Sequence, residues 1–228
     1  TAIGAFSLDA NTTADHNTSF GAYALTSNTT ADSNTAVGSS ALEATTTGSN
    51  NTAVGRAALL VNTTGSKNSA LGYNSLDANT TGENNTGIGG GALSSNTTAS
   101  NNTALGYAAL NANTTGTSNV AVGANALDAN TTASNNTAVG QAALGVDTTG
   151  HSNTAIGQGA AENITTGNHN TAVGRNSLGS QTTANNNVAI GQSALFANTT
   201  GTQNTAVGAN ALDANTTGNN NHAVGYDA

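Results

Sequence analysis

A glycine recurs every seventeen residues from Gly4 to Gly225 without a slip, and nothing else in the chain constrains its fold so strongly. The series is Gly4, Gly21, Gly38, Gly55, Gly72, Gly89, Gly106, Gly123, Gly140, Gly157, Gly174, Gly191, Gly208 and Gly225. A short, strict period over a whole chain marks an ordered repeat architecture, in which each unit buries its faces against its neighbours. With this glycine placed at coil position 5, the consensus reads N-T-A-V-G-x-x-A-L-x-A-N-T-T-(G/A)-x-x. Asn holds position 1 at Asn17, Asn34, Asn51, Asn68, Asn85, Asn102, Asn119, Asn136, Asn153, Asn170, Asn187, Asn204 and Asn221. Position 4 is always large and apolar, position 8 is Ala or Ser, and position 9 is Leu except at Ala161. Positions 13 and 14 are Thr in every complete coil.

Helical coils are excluded by this pattern. Apolar residues fall at 4 and 9 rather than at helical spacing, and seventeen residues are too few for a two-helix repeat. The spacing instead predicts an all-β fold: a parallel β-solenoid or β-roll of about thirteen and a half coils, with two short strands per coil. The first strand is placed at positions 2–4 and the second at about 8–13. Because side chains alternate faces along a strand, positions 2 and 4 are assigned inward and Ala at 3 outward. Ala at 3 and 8 then forms a small-residue outer face suited to packing against another chain. The expected core is one Val or Ile, one Leu, an Ala and one or two Thr per coil. Glycine at 5 is assigned to a recurring corner that tolerates no side chain. Asn at 1 is assigned to an internal ladder, each amide bonding its copy in the next coil or a turn backbone group. At ~4.8 Å per coil, the rod would be roughly 65 Å long.

Composition narrows the function classes. Ala (43), Thr (40), Asn (37) and Gly (28) dominate the 228 residues, whereas Leu, Ile, Val and Phe supply only 34. That is too little large apolar side chain for a conventional globular core, which argues against an enzyme. No run of eighteen apolar residues is present, so no helix is expected to span a bilayer. Without Cys there is neither a disulfide framework nor a thiolate metal site. Three cationic residues (Arg56, Lys67, Arg175) against eleven acidic ones, for a formal charge of −8, leave no footprint for nucleic acid. Catalytic and metal residues are expected to be none, and cofactors none. His151 and His169 lie about one coil apart and can approach each other, but two imidazoles are more often solvated than metal-bound. The acids favour position 10 (Asp9, Glu43, Asp77, Asp128, Glu162, Asp213) and position 16 (Asp15, Asp32, Glu83), mostly too far apart to form carboxylate pairs.

The repeat generates N-x-T sequons at Asn11, Asn28, Asn62, Asn79, Asn96, Asn113, Asn130, Asn198 and Asn215, the possible glycan attachment sites. Others occur at Asn50, Asn84, Asn101, Asn135 and Asn163. Asn as a turn former explains position 12 equally well. The variable flank positions carry the individual chemistry: Phe6, Tyr23, Tyr73, Tyr107, Phe196 and Tyr226 are candidate contacts for a receptor or glycan. Gly89-Gly90-Gly91 is a single loosened corner.

The motifs N-T-A-V-G, N-V-A-I-G (Asn187 to Gly191) and N-V-A-V-G (Asn119 to Gly123) resemble the head repeats of trimeric autotransporter adhesins (YadA-like). The longer N-T-A-V-G-x-x-A-L-x-x-N-T-T-G form is similar to repeats of bacterial and phage tail-fibre proteins. The resemblance covers the whole chain, although adhesin heads typically use coils of about fourteen residues rather than seventeen. It implies a non-catalytic extracellular or cell-surface structural segment, or a virion fibre, that self-associates as a homotrimer or an end-to-end filament. A glycan or host-surface molecule is the implied ligand. A phage tail-fibre shaft recognising a host surface is one alternative. A Thr-array ice-binding solenoid is another, weakened because Thr at 13 and 14 are adjacent and only one of them can face outward. Residues 1–228 are expected to be a single uninterrupted repeat domain, a window from a longer fibre without caps.

Overall fold

Thr-Ala-Val pairs β-branched residues with a small one between them, a composition suited to a pleated strand with two unequal faces. In the computed structural model, which describes residues 1–228, this triplet forms one strand in each coil. The chain is a parallel β-solenoid without helix. It divides into two compact units, Thr1–Thr115 and Gly116–Ala228. The first holds β1 (Ala2–Ile3), β2 (Thr18–Phe20), β3 (Thr35–Val37), β4 (Thr52–Val54), β5 (Ser69–Leu71), β6 (Thr86–Ile88) and β7 (Thr103–Leu105). The second holds β8 (Val120–Val122), β9 (Thr137–Val139), β10 (Thr154–Ile156), β11 (Thr171–Val173), β12 (Val188–Ile190), β13 (Thr205–Val207) and β14 (His222–Val224). Within each unit the strands pair in parallel in chain order. The register is one coil: Thr35 faces Thr52, Ala36 faces Ala53 and Val37 faces Val54.

Two expectations are corrected. The first concerns which face of the strand is inside. Ala at position 3 is the buried residue, with Ala36, Ala53, Ala104 and Ala138 at 0% exposure, whereas positions 2 and 4 point outward. The reason is volume. A Cβ at Gly87 (position 3) would stand 2.7 Å from Ser75 Oγ and 3.3 Å from Leu76 Cδ1, so positions 8 and 9 of the preceding coil already fill the space opposite. Only a residue as small as Gly, Ala or Ser fits there at interior packing density. The neighbours compensate: Ser75 occupies position 8 where position 3 is Gly87, and its Oγ donates to the Gly87 carbonyl at 2.7 Å. Ser7 and Ser19, the equivalent pair four coils earlier, hydrogen-bond each other at 2.7 Å.

The second correction concerns positions 8–13, which form turns rather than a strand. Turn bonds close 5–8 and 9–12, as in Ala41 N–H to the Gly38 carbonyl and Asn62 N–H to the Leu59 carbonyl. Leu at position 9 sits in the left-handed region in every coil that has it, for example Leu59 at φ 52° and Leu195 at φ 49°. That conformation costs a non-glycine residue about 1–2 kcal/mol. Fully burying the Leu side chain returns about 1.5–3 kcal/mol, and Leu59 N–H also bonds the Ser75 carbonyl of the next coil at 3.0 Å. Burial and cross-coil bonding therefore outweigh the strain. The interior of a coil is Asn at 1, Ala at 3, Ala at 8, Leu at 9, Asn at 12 and Gly or Ala at 15. Val at 4 and Thr at 13 are not part of it.

The corner glycine is required twice over. Gly55 has φ 133°, and a Cβ on it would lie 2.5 Å from the carbonyl oxygen of Gly72 in the next coil.

Candidate functional site: an outward apolar face over internal amide ladders

The strand's short side chain faces in, so its long ones line the outside. Position 2 presents Thr in ten of the fourteen strands' coils, and position 4 presents Val, Ile, Leu or Phe. Ile3, Phe20, Leu71 and Leu105 of the first unit are about half exposed, as are Ile156 and Ile190 of the second. No Lys, Arg, Asp or Glu occupies position 2 or 4 in any coil, and His222 is the one titratable residue among them. The result in each unit is an uncharged rank of apolar side chains beside a rank made mostly of hydroxyls, interrupted in the second unit by Val120, Val188 and His222. Ala at 3 and 8, assigned by the sequence reading to an outer packing face, is inside and cannot contribute to it.

Beneath this face run two lines of buried amides. At position 1, Asn34 Oδ1 accepts the main-chain N–H of Asn51 in the next coil at 2.8 Å. Asn34 Nδ2 donates to the Gly48 carbonyl of its own coil at 2.9 Å. The same pair of bonds recurs, for example, at Asn51, Asn68, Asn153 and Asn187. At position 12 the amides bond one another. Asn79 Nδ2 donates to Asn62 Oδ1 at 2.9 Å, and Asn96 Nδ2 donates to Asn79 Oδ1 at 2.8 Å. Each also donates to the carbonyl at position 15 of its own coil. Buried amides are inexpensive only when paired, and the coil period supplies a partner at every step.

This placement bears on the sequons. Asn28, Asn62, Asn79, Asn96, Asn113, Asn130 and Asn198 are fully buried, while Asn11 and Asn215 in the end coils are partly exposed. A glycan on any of those seven would have to sit inside the folded coil. The sequons at Asn50, Asn84, Asn101 and Asn135 lie instead at exposed position 17. The inward direction of position 12 had a signal in the sequence: its substitutes include Ile164, in the one coil that has Ala161 in place of Leu. Ile164 is fully buried and makes up the volume that Ala161 lacks.

Asp147 also stands in this rank. It is fully buried, its Oδ1 accepts the Gly150 N–H at 2.8 Å, and its Oδ2 accepts from Asn136 Nδ2 at 3.3 Å. Burial pushes its carboxyl up to about 7, against the lowering effect of the Gly150 and Asn153 hydrogen bonds. Ile164 follows it one coil on and offers no polar atom. His151 and His169 meet edge to face with centroids 5.1 Å apart. No group of three or more His, Asp or Glu gathers as a metal site, and no helix is long and apolar enough to cross a membrane.

Comparison with known proteins finds no family model and no curated protein that matches the chain.

Proposed function

We propose that the chain is a non-catalytic structural segment of an extracellular fibre or adhesin head, and that copies of it associate through the outward face of their strands. The observation that carries this reading is the apolar rank at position 4 within each unit, with no Lys, Arg, Asp or Glu at positions 2 or 4 in any coil. Contiguous exposed apolar surface of that kind marks an interaction face, and a neutral face is complementary to a second copy of itself. The β-solenoid supplies a stiff support that presents the same face at every coil. A homotrimer is the form that the repeat resemblance favours. Light scattering on purified protein tests the reading, with a mass of two or three chains expected. A species of 22.0 kDa at all concentrations overturns it. Adhesin head and tail-fibre shaft differ in what the parent gene encodes downstream, a membrane barrel for the first and a chaperone domain for the second.

One observation favours a second reading, ice binding. The paired outward ranks lie at positions 2 and 4, with Thr beside Val or Ile in register from strand to strand, rather than at 13 and 14. Hydroxyls and methyls at a regular spacing of ~4.8 Å are the kind of array that orders water. Thermal hysteresis and inhibition of ice recrystallisation at micromolar protein test it, and their absence ends it.

A further inference from the structure

The flank formed by positions 6, 7 and 10 shrinks to two glycines and a serine in a single coil. That coil has Gly90, Gly91 and Ser94 at those positions. The coil before it carries Tyr73 and Asp77, and the coil after it carries Tyr107 and Asn111. A cleft of about 250 Å³ opens over the two glycines between the tyrosines. The chain supplies its own measure of that gap. Phe6 and Tyr23, which share position 7 in adjacent coils, stack with centroids 5.2 Å apart and planes within 15°. Tyr73 and Tyr107 share position 6 two coils apart, so their backbones are about 9–10 Å apart, with no side chain at position 6 between them. Aromatic contacts favour centroid distances of about 4.5–7 Å, which a ring midway between them would satisfy on both sides.

One wall is braced and the other leans over the glycine. The Arg56 guanidinium lies 5.0 Å from the Tyr73 ring centroid, from the coil that precedes Tyr73 and so on the side away from Gly90. Tyr107 Cδ2 stands 3.7 Å from where a Cβ on Gly90 would be. The rim is polar. Asn111 Nδ2 donates to the Gly91 carbonyl at 3.0 Å and to Ser94 Oγ at 2.7 Å. Asp77 also lines the cleft, with its Oδ1 out of reach of solvent. Burial also pushes the Asp77 carboxyl above the ordinary carboxylate range.

We propose that the Tyr73–Gly90–Tyr107 cleft is a binding site for one neutral pyranose ring, held between the two tyrosines with its hydroxyls on the polar rim of Asp77, Ser94 and Asn111. A pyranose has apolar C–H faces for the tyrosines and hydroxyl donors at its edge, which matches this lining. A purely apolar ring would offer no donor or acceptor to the rim of Asp77, Ser94 and Asn111. An acidic sugar or a phosphate would face the carboxyl itself, with Arg56 screened behind Tyr73. The cleft is smaller than the usual ~300–1,000 Å³ of ligand pockets, which limits the occupant to a single terminal sugar. All of its residues lie in the first unit and none lies on the outward strand face, so the site does not rest on self-association.

Ligand-observed NMR tests the site with the whole chain and a panel of methyl glucoside, galactoside, mannoside and N-acetylglucosamine, with N-acetylneuraminic acid and adenosine as contrasts. At least one neutral glycoside is expected to bind with a dissociation constant in the millimolar range, on the order of 1–10 mM. Tyr107→Ala and Gly90→Leu, the second of which fills the cleft at a position with ordinary backbone, should each weaken binding at least about tenfold. Far-UV circular dichroism and the thermal midpoint should stay at the parent values. The same affinity in the parent and in a Leu105→Glu chain would separate this site from the association face. Absence of any glycoside signal at about 50 mM, undiminished binding in Gly90→Leu, or preference for adenosine or N-acetylneuraminic acid would overturn the proposal.

Discussion

A single residue type at position 12 decides how the interior behaves toward protons. Asn there is neutral and paired along the axis, but Asp147 brings an ionisable group into the same buried rank. Its folded pKa of about 7 lies above the ordinary value of 3.8, so between these values the folded chain holds a proton that the unfolded chain has lost. Stability therefore falls as pH rises from about 4 to about 7, and levels off above that. The full shift corresponds to roughly 4 kcal/mol as an upper limit. Asp147→Asn should flatten this slope and raise the urea midpoint at pH 8 more than at pH 4. Parallel slopes for the two proteins would show that Asp147 is not the group responsible. Glycines differ just as sharply. Gly55→Ala places a Cβ 2.5 Å from the Gly72 carbonyl oxygen at φ 133°, and should cost 3 kcal/mol or more, to order of magnitude. Gly90→Ala meets only a Tyr107 ring atom at 3.7 Å and should change the thermal midpoint little.

The element that repeats is a three-residue strand followed by two turns, and its sidedness has a direct test. Ala53 is buried against a filled interior, while its neighbour Val54 faces out. Ala53→Leu should destabilise by about 1–3 kcal/mol through overpacking, whereas Val54→Leu should stay within about 0.5 kcal/mol. Chemical denaturation of the two variants distinguishes them. Equal losses, or the reverse order, would restore the opposite facing. Period-two alternation divided the strand correctly into {2, 4} and {3}, but it carries no label for inside. Reading the larger residues as core chose the wrong set, because Leu at 9 and Ala at 8 had already taken the volume. The turn segment was unreadable for a related reason. Leu, Ala and Thr at alternate positions look like a strand, and left-handed Leu runs against local preference. Only the burial it gains makes that conformation pay.

At the scale of the whole molecule, the outward face is the same at every strand of a unit, so one substitution tests a cooperative surface. Leu105→Glu introduces a charge into a rank that has none. It should lower the mass seen by light scattering toward the single chain while leaving circular dichroism unchanged. An unchanged mass would place the association elsewhere. The apolar character of this face was visible in the sequence as an invariant large residue at position 4. Its exposure was not, since the same invariance is what a core position shows. The Tyr73–Gly90–Tyr107 cleft was visible as two separate oddities, scattered flank tyrosines and a triple glycine. The coil period joins them by setting Gly90 midway between residues seventeen positions away on either side.

The sequence alone determined the repeat length, the parallel one-coil register, the corner glycines and the absence of helix. Each of these follows from local sterics and a strict period, which act on every coil alike. The tertiary structure decided which side of the strand is buried, that positions 8–13 turn rather than extend, and that Asn at 12 lies inside. These depend on how much volume remains within a closed coil once Leu is in place. That is a property of the closed cross-section, and no window of sequence contains it.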